Sequence, residues 1–191
     1  DRLDEDGNDY VQRIISASER MDELIGDLLD YSRLSIDKID VGPVDLSEVV
    51  DDTCRYLGES LRAHNAELVI EGELGSVMGH RATMMQVMSN LLSNAMKFVP
   101  EGTRPRVQIR SERRDDRARL WIEDNGIGVD AGHQERIFRV FERLHSRLDY
   151  PGTGIGLAIV KRATDRLRGS AGVESDPGAG SRFWVELPAA S

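Results

Sequence analysis

The 191-residue chain, with 39% hydrophobic and 31% charged residues, is long enough for one sizeable core plus an appended element. Its net charge of -9 opposes a nonspecific grip on nucleic acid or an anionic bilayer, because phosphate-rich partners are repelled over most of the surface. A single cysteine, Cys54, excludes an internal disulfide framework and a cysteine-rich metal site, and no apolar run reaches the roughly 18–20 residues of a membrane span, so the sequence predicts a cytoplasmic segment without direct membrane contact.

Residues 8–34 place Val11, Ile14, Met21, Ile25 and Leu28 at heptad steps, with a second stripe through Tyr10, Ala17, Leu24 and Tyr31. A lone helix cannot bury both stripes. The spacing therefore predicts a bundle helix over residues 1–34 whose partners come from another chain or from sequence upstream of Asp1. The stretch Asp4-Glu5-Asp6-Gly7-Asn8 reads as a loop entering that helix, as though a preceding helix had been left out. Gly42-Pro43 marks residues 35–45 as a linker or short edge strand, and the domain boundary is placed there.

Over residues 46–191 the patterns predict a helix at 46–63, strands at 67–71 and 76–78, and a helix at 81–98. Strands at 106–112 and 117–123 follow, joined by the charged turn Arg113-Arg114-Asp115-Asp116. A helix at 154–167 precedes strands at 171–175 and 181–187, which meet at Asp176-Pro177-Gly178. Unequal blocks of helices and strands with two hairpins predict an α+β fold, a two-layer α/β sandwich whose mixed sheet is covered on one face by helices, behind the long bundle helix.

Three short patterns carry chemistry. Gln86, Asn90, Asn94 and Lys97, at steps of four, four and three, share one face of the 81–98 helix. Such a stripe is either simply solvated or offers an amide oxygen to Mg²⁺ and an ammonium to phosphate. Asp124-Asn125-Gly126-Ile127-Gly128, directly after a strand, is either an ordinary Asx-Gly turn or a carboxylate held at a strand end to accept from an exocyclic amine such as that of adenine. A dinucleotide fingerprint there, Gly126-x-Gly128-x-x-Ala131, lacks the βαβ context it needs. Gly152-Thr153-Gly154-Ile155-Gly156-Leu157 opens a helix, so its backbone N–H groups form an anion site, without the lysine and hydroxyl residue of a P-loop. Between the last two patterns, Phe138 and Phe141 are expected to anchor into the core at helical spacing, leaving His145 to Pro151 as a mobile flap.

In this order the patterns resemble the catalytic domain of sensor histidine kinases, within the ATPase superfamily that includes gyrase, Hsp90 and MutL. Asn90 to Phe98 is similar to the family's N box, Asp124 to Gly128 to its first glycine box, Phe138 to Phe141 to its F box, Gly152 to Gly156 to its second glycine box, and Gly178 to Phe183 to its closing strand motif. The resemblance implies ATP and Mg²⁺ as cofactors, with Asn94 as the metal ligand, Asp124 as the adenine reader, Lys97 and Arg143 on phosphate, and Phe98 near the nucleoside. Asn90 would support metal and phosphate. Gly126, Gly128, Gly152, Thr153, Gly154, Ile155, Gly156 and Leu157 would line the nucleotide. Hydrolases of the superfamily carry a glutamate at the Asn90 position, and an amide there cannot take a proton from water, which weighs for transfer to a protein group. The run from Arg20-Met21 through Tyr31-Ser32-Arg33 resembles the second helix of the kinases' dimerisation bundle, most of all in phytochrome-type kinases. That implies a homodimer formed with an upstream helix, a phosphoacceptor histidine outside this chain, and a response regulator receiver domain as partner. His64, His80, His133 and His145 all lack the acceptor's context. The rival readings are a superfamily ATPase clamp, a degenerate nucleotide-free interaction module, and a protein-serine kinase of the anti-sigma type.

Overall fold

The structure, a computed structural model, describes residues 5–36, 39–144, 150 and 152–190. A 32-residue helix, α1 (Glu5–Ile36), leads the chain. It begins at Glu5, within the stretch expected to be a loop. Leu24, Tyr31 and Leu34 of α1 pack against the core, while Ile14, Ile25, Leu28 and Leu29 stay exposed.

Next come β1 (Gly42–Asp45), α2 (Leu46–Tyr56), α3 (Gly58–Ala63), β2 (Glu67–Glu71), β3 (Ser76–Gly79) and α4 (Arg81–Lys97). The Asp45 carboxylate caps α2 by accepting from the backbone N–H of Ser47 and Glu48 at 2.7 and 3.2 Å. The single helix expected over 46–63 is instead two, broken at Leu57 ahead of Gly58, a residue that weakens a helix interior. The chain then runs through β4 (Arg106–Arg114), β5 (Arg117–Asp124), short 3-10 turns at Ala131–His133 and Arg136–Phe138, α5 (Gly156–Arg166), β6 (Ser170–Ser175) and β7 (Ser181–Pro188).

The main sheet has the order β2-β4-β5-β7-β6, with β2 parallel to β4 and every other pair antiparallel, so it is mixed as the sequence predicts. Of the two forms expected for residues 35–45, Gly42–Asp45 takes the strand: β1 pairs antiparallel with β3 in a separate two-stranded ribbon. Alternation along the strands sends Val107 and Ile109 of β4, Leu120 and Ile122 of β5, and Val185 and Leu187 of β7 to one face, where all are buried. Met84, Met88, Leu91 and Leu92 of α4 and Ile159 and Ala163 of α5 meet them, giving one core between sheet and helices. On the other face Arg110, Arg119 and Arg182 stack on Trp121 and Trp184, with guanidinium carbons 4.2 to 5.5 Å from ring centroids. No helix among the described residues covers this face, and the layer shields it. Among the described residues, no helix is long and apolar enough to cross a membrane.

Candidate functional site

A cavity of about 260 Å³ opens where the second half of α4, the end of β5 and the start of α5 converge, with α1 along one side. The helical spacing of Asn90, Asn94 and Lys97 puts all three on its wall, and Phe98, the residue that ends α4, joins them. Gln86, on the same stripe, is drawn away and donates from Nε2 to Asp30 of α1 at 2.8 Å. Asn90 donates from Nδ2 to the Gln86 carbonyl at 2.9 Å, which turns its amide oxygen toward Gly156. A Cβ on Gly156 would lie 2.6 Å from that oxygen, so only glycine lets the start of α5 approach α4 so closely. The Asn94 side chain makes no hydrogen bond among the described residues.

Asp124 closes the β5 end. Its Oδ1 accepts from the backbone N–H of Gly126 at 2.9 Å and of Ser181 at 3.2 Å, leaving Oδ2 as the oxygen for an outside donor. Burial pushes the carboxyl up to about 6 against the pull of those two N–H groups. The β5–β7 register, Asp124 opposite Ser181, is what brings the second N–H into place. Asn125 faces the other way: it accepts from the Arg106 N–H at 2.8 Å and donates to the Arg104 carbonyl at 3.0 Å, securing the start of β4.

The opposite end is cationic and rich in backbone N–H groups. α5 starts at Gly156 rather than at 154 and has no side-chain cap, so no side chain takes up its first N–H groups, and Gly156 and Leu157 line the cavity. Lys97 holds its ammonium 4.5 Å from the Phe98 ring centroid, and burial, then the neighbouring Arg143 charge, lowers its pKa. The Arg143 guanidinium donates to the carbonyls of Gly152 and, at 2.7 Å, Tyr150. Arg143 thus holds the glycine loop in place while lining the cavity. The Tyr150 ring lies 5.3 Å from that of Phe98.

Of the residues singled out from the sequence, the structure brings Asn90, Asn94, Lys97, Phe98, Asp124, Gly128, Arg143, Gly152, Thr153, Gly154, Gly156 and Leu157 to this one cavity. Gly126 stands behind the wall and acts through Asp124, and Ile155 has its side chain fully buried in the core. Phe138 packs against the core as expected, but Phe141 does not anchor. It is 60% exposed at φ 63°, because the 3-10 turn ends at Phe138 and Arg139 is already extended, which destroys the helical spacing. Ile137 takes the buried place instead. Of the segment expected to be a flap, 145–149 and 151 lie outside the described residues. Ser181 went unforeseen because it contributes a backbone N–H, and Glu23 and Asp27 because they reach the cavity from α1. Only the closing motif around Gly178 to Phe183 hinted at the first.

A strand-end carboxylate, an amide-bearing helix and a cationic glycine loop can together hold a ligand with an amine donor at one end and negative charge at the other. Comparison with known proteins gives this geometry a family. The chain spans about a quarter of the length of the curated relatives it matches. Phytochrome-like protein Cph1 of Synechocystis sp. is 36% identical over 97% of this chain and 25% of its own. The crystal structure of full-length ShkA in complex with AMPPNP superposes with a TM-score of 0.77 at 26% identity, over 100% of this chain and 40% of that one. The mycobacterial sensor histidine kinase MprB gives 0.64 at 30% identity, over 78% and 97%. The family of histidine kinase-, DNA gyrase B-, and HSP90-like ATPases matches residues 79–191, more than half of the sequence, and the chain belongs to it.

Proposed function

We propose that this chain is the catalytic portion of a sensor histidine kinase, binding Mg-ATP and passing the γ-phosphoryl group to a histidine outside the sequence. The observation that carries this reading is the pairing of Asp124, with Oδ2 available at one end of the cavity, and the Lys97, Gly152 to Gly156 end opposite. Its relatives, and the AMPPNP held by ShkA, support it.

In this reading Asp124 accepts from the adenine amino group, Phe98 flanks the nucleoside, and Lys97 with the amides at the start of α5 holds phosphate. Among the described residues no three His, Cys, Asp or Glu side chains are grouped so that they could cage a metal ion. A single amide oxygen on Asn94 fits Mg²⁺, which takes one or two protein oxygens and fills its shell with phosphates and water. When bound, Mg²⁺ would neutralise charge developing on the phosphates. The histidine nitrogen attacks the γ-phosphorus, the bond to the bridging oxygen breaks, and ADP leaves. Asn90 offers no base to activate water, which favours this transfer over hydrolysis. Residues 1–34 then form the second helix of a dimerisation bundle, 35–45 a linker that ends in β1 and 46–191 the ATP-binding domain, and the exposed Ile14, Ile25, Leu28 and Leu29 await an upstream helix in a cytoplasmic homodimer. The phosphohistidine would serve a response regulator aspartate.

Incubation with γ-labelled ATP tests the reaction. The chain alone should turn over negligible ATP, and addition of the upstream helix should place acid-labile label on a histidine. Rapid hydrolysis by the chain alone would favour the ATPase clamp, and labelled phosphoserine on a partner the anti-sigma type of kinase. Two further outcomes follow from the site. Asn94→Ala should cost Mg-ATP about tenfold in affinity, down to the level seen without metal, while leaving the unfolding temperature in place. An unchanged response to Mg²⁺ would refute the ligand assignment. Because the free Asp124 carboxyl titrates at about 6, ATP affinity should fall as the pH drops through that value and Oδ2 gains a proton. A flat profile between pH 5 and about 7.5, once the pH dependence of ATP itself is subtracted, would contradict the carboxylate's role.

A further inference from the structure

α1 sends two carboxylates into the cavity. Glu23 and Asp27, four residues apart, line it beside Lys97, and the Thr153 hydroxyl in the glycine loop donates to Asp27 Oδ2. Asp27 is not loosely tethered there. One turn further along, Asp30 accepts from Gln86 of α4, and the Arg166 guanidinium of α5 donates to the Leu34 carbonyl at the end of α1. Leu24, Tyr31 and Leu34 add apolar contacts to the core. The two acids also raise the Lys97 pKa against its burial, so they act electrically on the cation expected to meet phosphate.

Resting on the nucleotide reading of this cavity, we infer that Glu23 and Asp27 are charge-selective residues of its phosphate end. While α1 is docked they weaken a ligand in proportion to the phosphate charge it carries. A triphosphate is penalised more than a diphosphate and a nucleoside not at all. The physical basis is repulsion between like charges within a Debye length, about 8 Å at physiological salt, in a partly enclosed site where water screens them less. Binding is reciprocal: whatever free energy docking of α1 takes from the triphosphate, the triphosphate takes from docking, and it drives Asp27 off Thr153.

The test is to titrate adenosine, ADP and a nonhydrolysable ATP analogue into the wild-type chain and into Asp27→Asn and Glu23→Gln, at low and high salt. Asn at position 27 keeps an oxygen for the Thr153 hydroxyl, so the variant removes charge while leaving the contact. The expected result is unchanged adenosine affinity, a smaller gain for ADP, and a gain of about threefold to tenfold for the triphosphate, shrinking as salt rises. An equal gain for adenosine means that α1 merely blocks the entrance, and no gain for the triphosphate in either variant means that the acids do not sense it. Either result overturns the inference. If neither the wild type nor the variants bind any of the three, the nucleotide reading itself falls and takes this one with it.

Discussion

Asp124→Asn should reduce affinity for ATP by about tenfold to a hundredfold, the cost of a charge-assisted hydrogen bond at roughly 1.5–3 kcal/mol, while leaving GTP nearly unaffected. Adenine presents an exocyclic amine where guanine presents a carbonyl, so an amide that turns its NH₂ toward the ligand opposes a donor and tolerates an acceptor. The substitution isolates this contact because Asn keeps an oxygen for the Gly126 and Ser181 N–H groups that now bind Oδ1. The same variant should be more stable than the wild type at pH 7.5 without ligand. In the fold the carboxyl titrates at about 6 against its ordinary 3.8, so the folded chain holds the proton more tightly than the unfolded one. The contribution of Asp124 to stability is then greatest below 3.8 and is lost as the pH rises through about 6. A neutral amide never incurs that loss. Raised melting temperature with lost ATP selectivity is the signature of a group kept for function at the expense of the fold. Calorimetry with both nucleotides and a thermal melt at pH 5 and about 7.5 read both effects. An equal loss for ATP and GTP would remove adenine recognition from Asp124.

Gly128→Ala should be the most damaging single methyl in the first glycine loop. Gly128 has φ 73°, and a Cβ there would run into the Asp176 carbonyl oxygen, with Pro177 Cα at 3.1 Å. These atoms are backbone of the β6–β7 turn, which is itself tied to the loop because Gly178 N–H donates to the Ile127 carbonyl at 2.7 Å. Neither side can yield without moving Asp124 relative to Ser181. A left-handed alanine costs about 1–2 kcal/mol and overpacking about 1–3 more. For a domain of this size that corresponds to a melting temperature lower by roughly 5–15 °C. Gly178→Ala is the control: its φ is 78°, yet nothing lies within 4 Å of the added Cβ, so only the conformational part of the penalty remains. Similar melting temperatures for the two variants would show that the turn is not wedged against the glycine loop.

The parts of the site that sit on regular elements were legible in the sequence. Asn90, Asn94 and Lys97 share a helix face by spacing alone, and Asp124 ends a strand whose alternating Leu120 and Ile122 fix its phase. Mixed pairing of the sheet followed from its two hairpins and the helix-linked strand. What failed depended on tertiary contact or irregular backbone. Asp27 and Thr153 are 126 positions apart, and no local pattern announces that an exposed-looking acid on a bundle helix will reach a glycine loop. Ser181 supplies a main-chain donor, which leaves no trace in residue type. Helical spacing points Phe141 into the core, but the 3-10 turn ends at Phe138 and Phe141 itself has φ 63°. The break at Leu57 hung on one glycine, whose cost of about 1 kcal/mol in a helix is easily outweighed in either direction by packing.

The central claim, that the cavity between Asp124 and the Gly152 to Gly156 loop takes Mg-ATP, is tested most directly by a calorimetric titration of this chain with a nonhydrolysable ATP analogue, with and without Mg²⁺. One-to-one binding that Mg²⁺ strengthens is the expected result. No measurable binding under either condition would contradict it and leave a domain of this family that recognises partners without nucleotide.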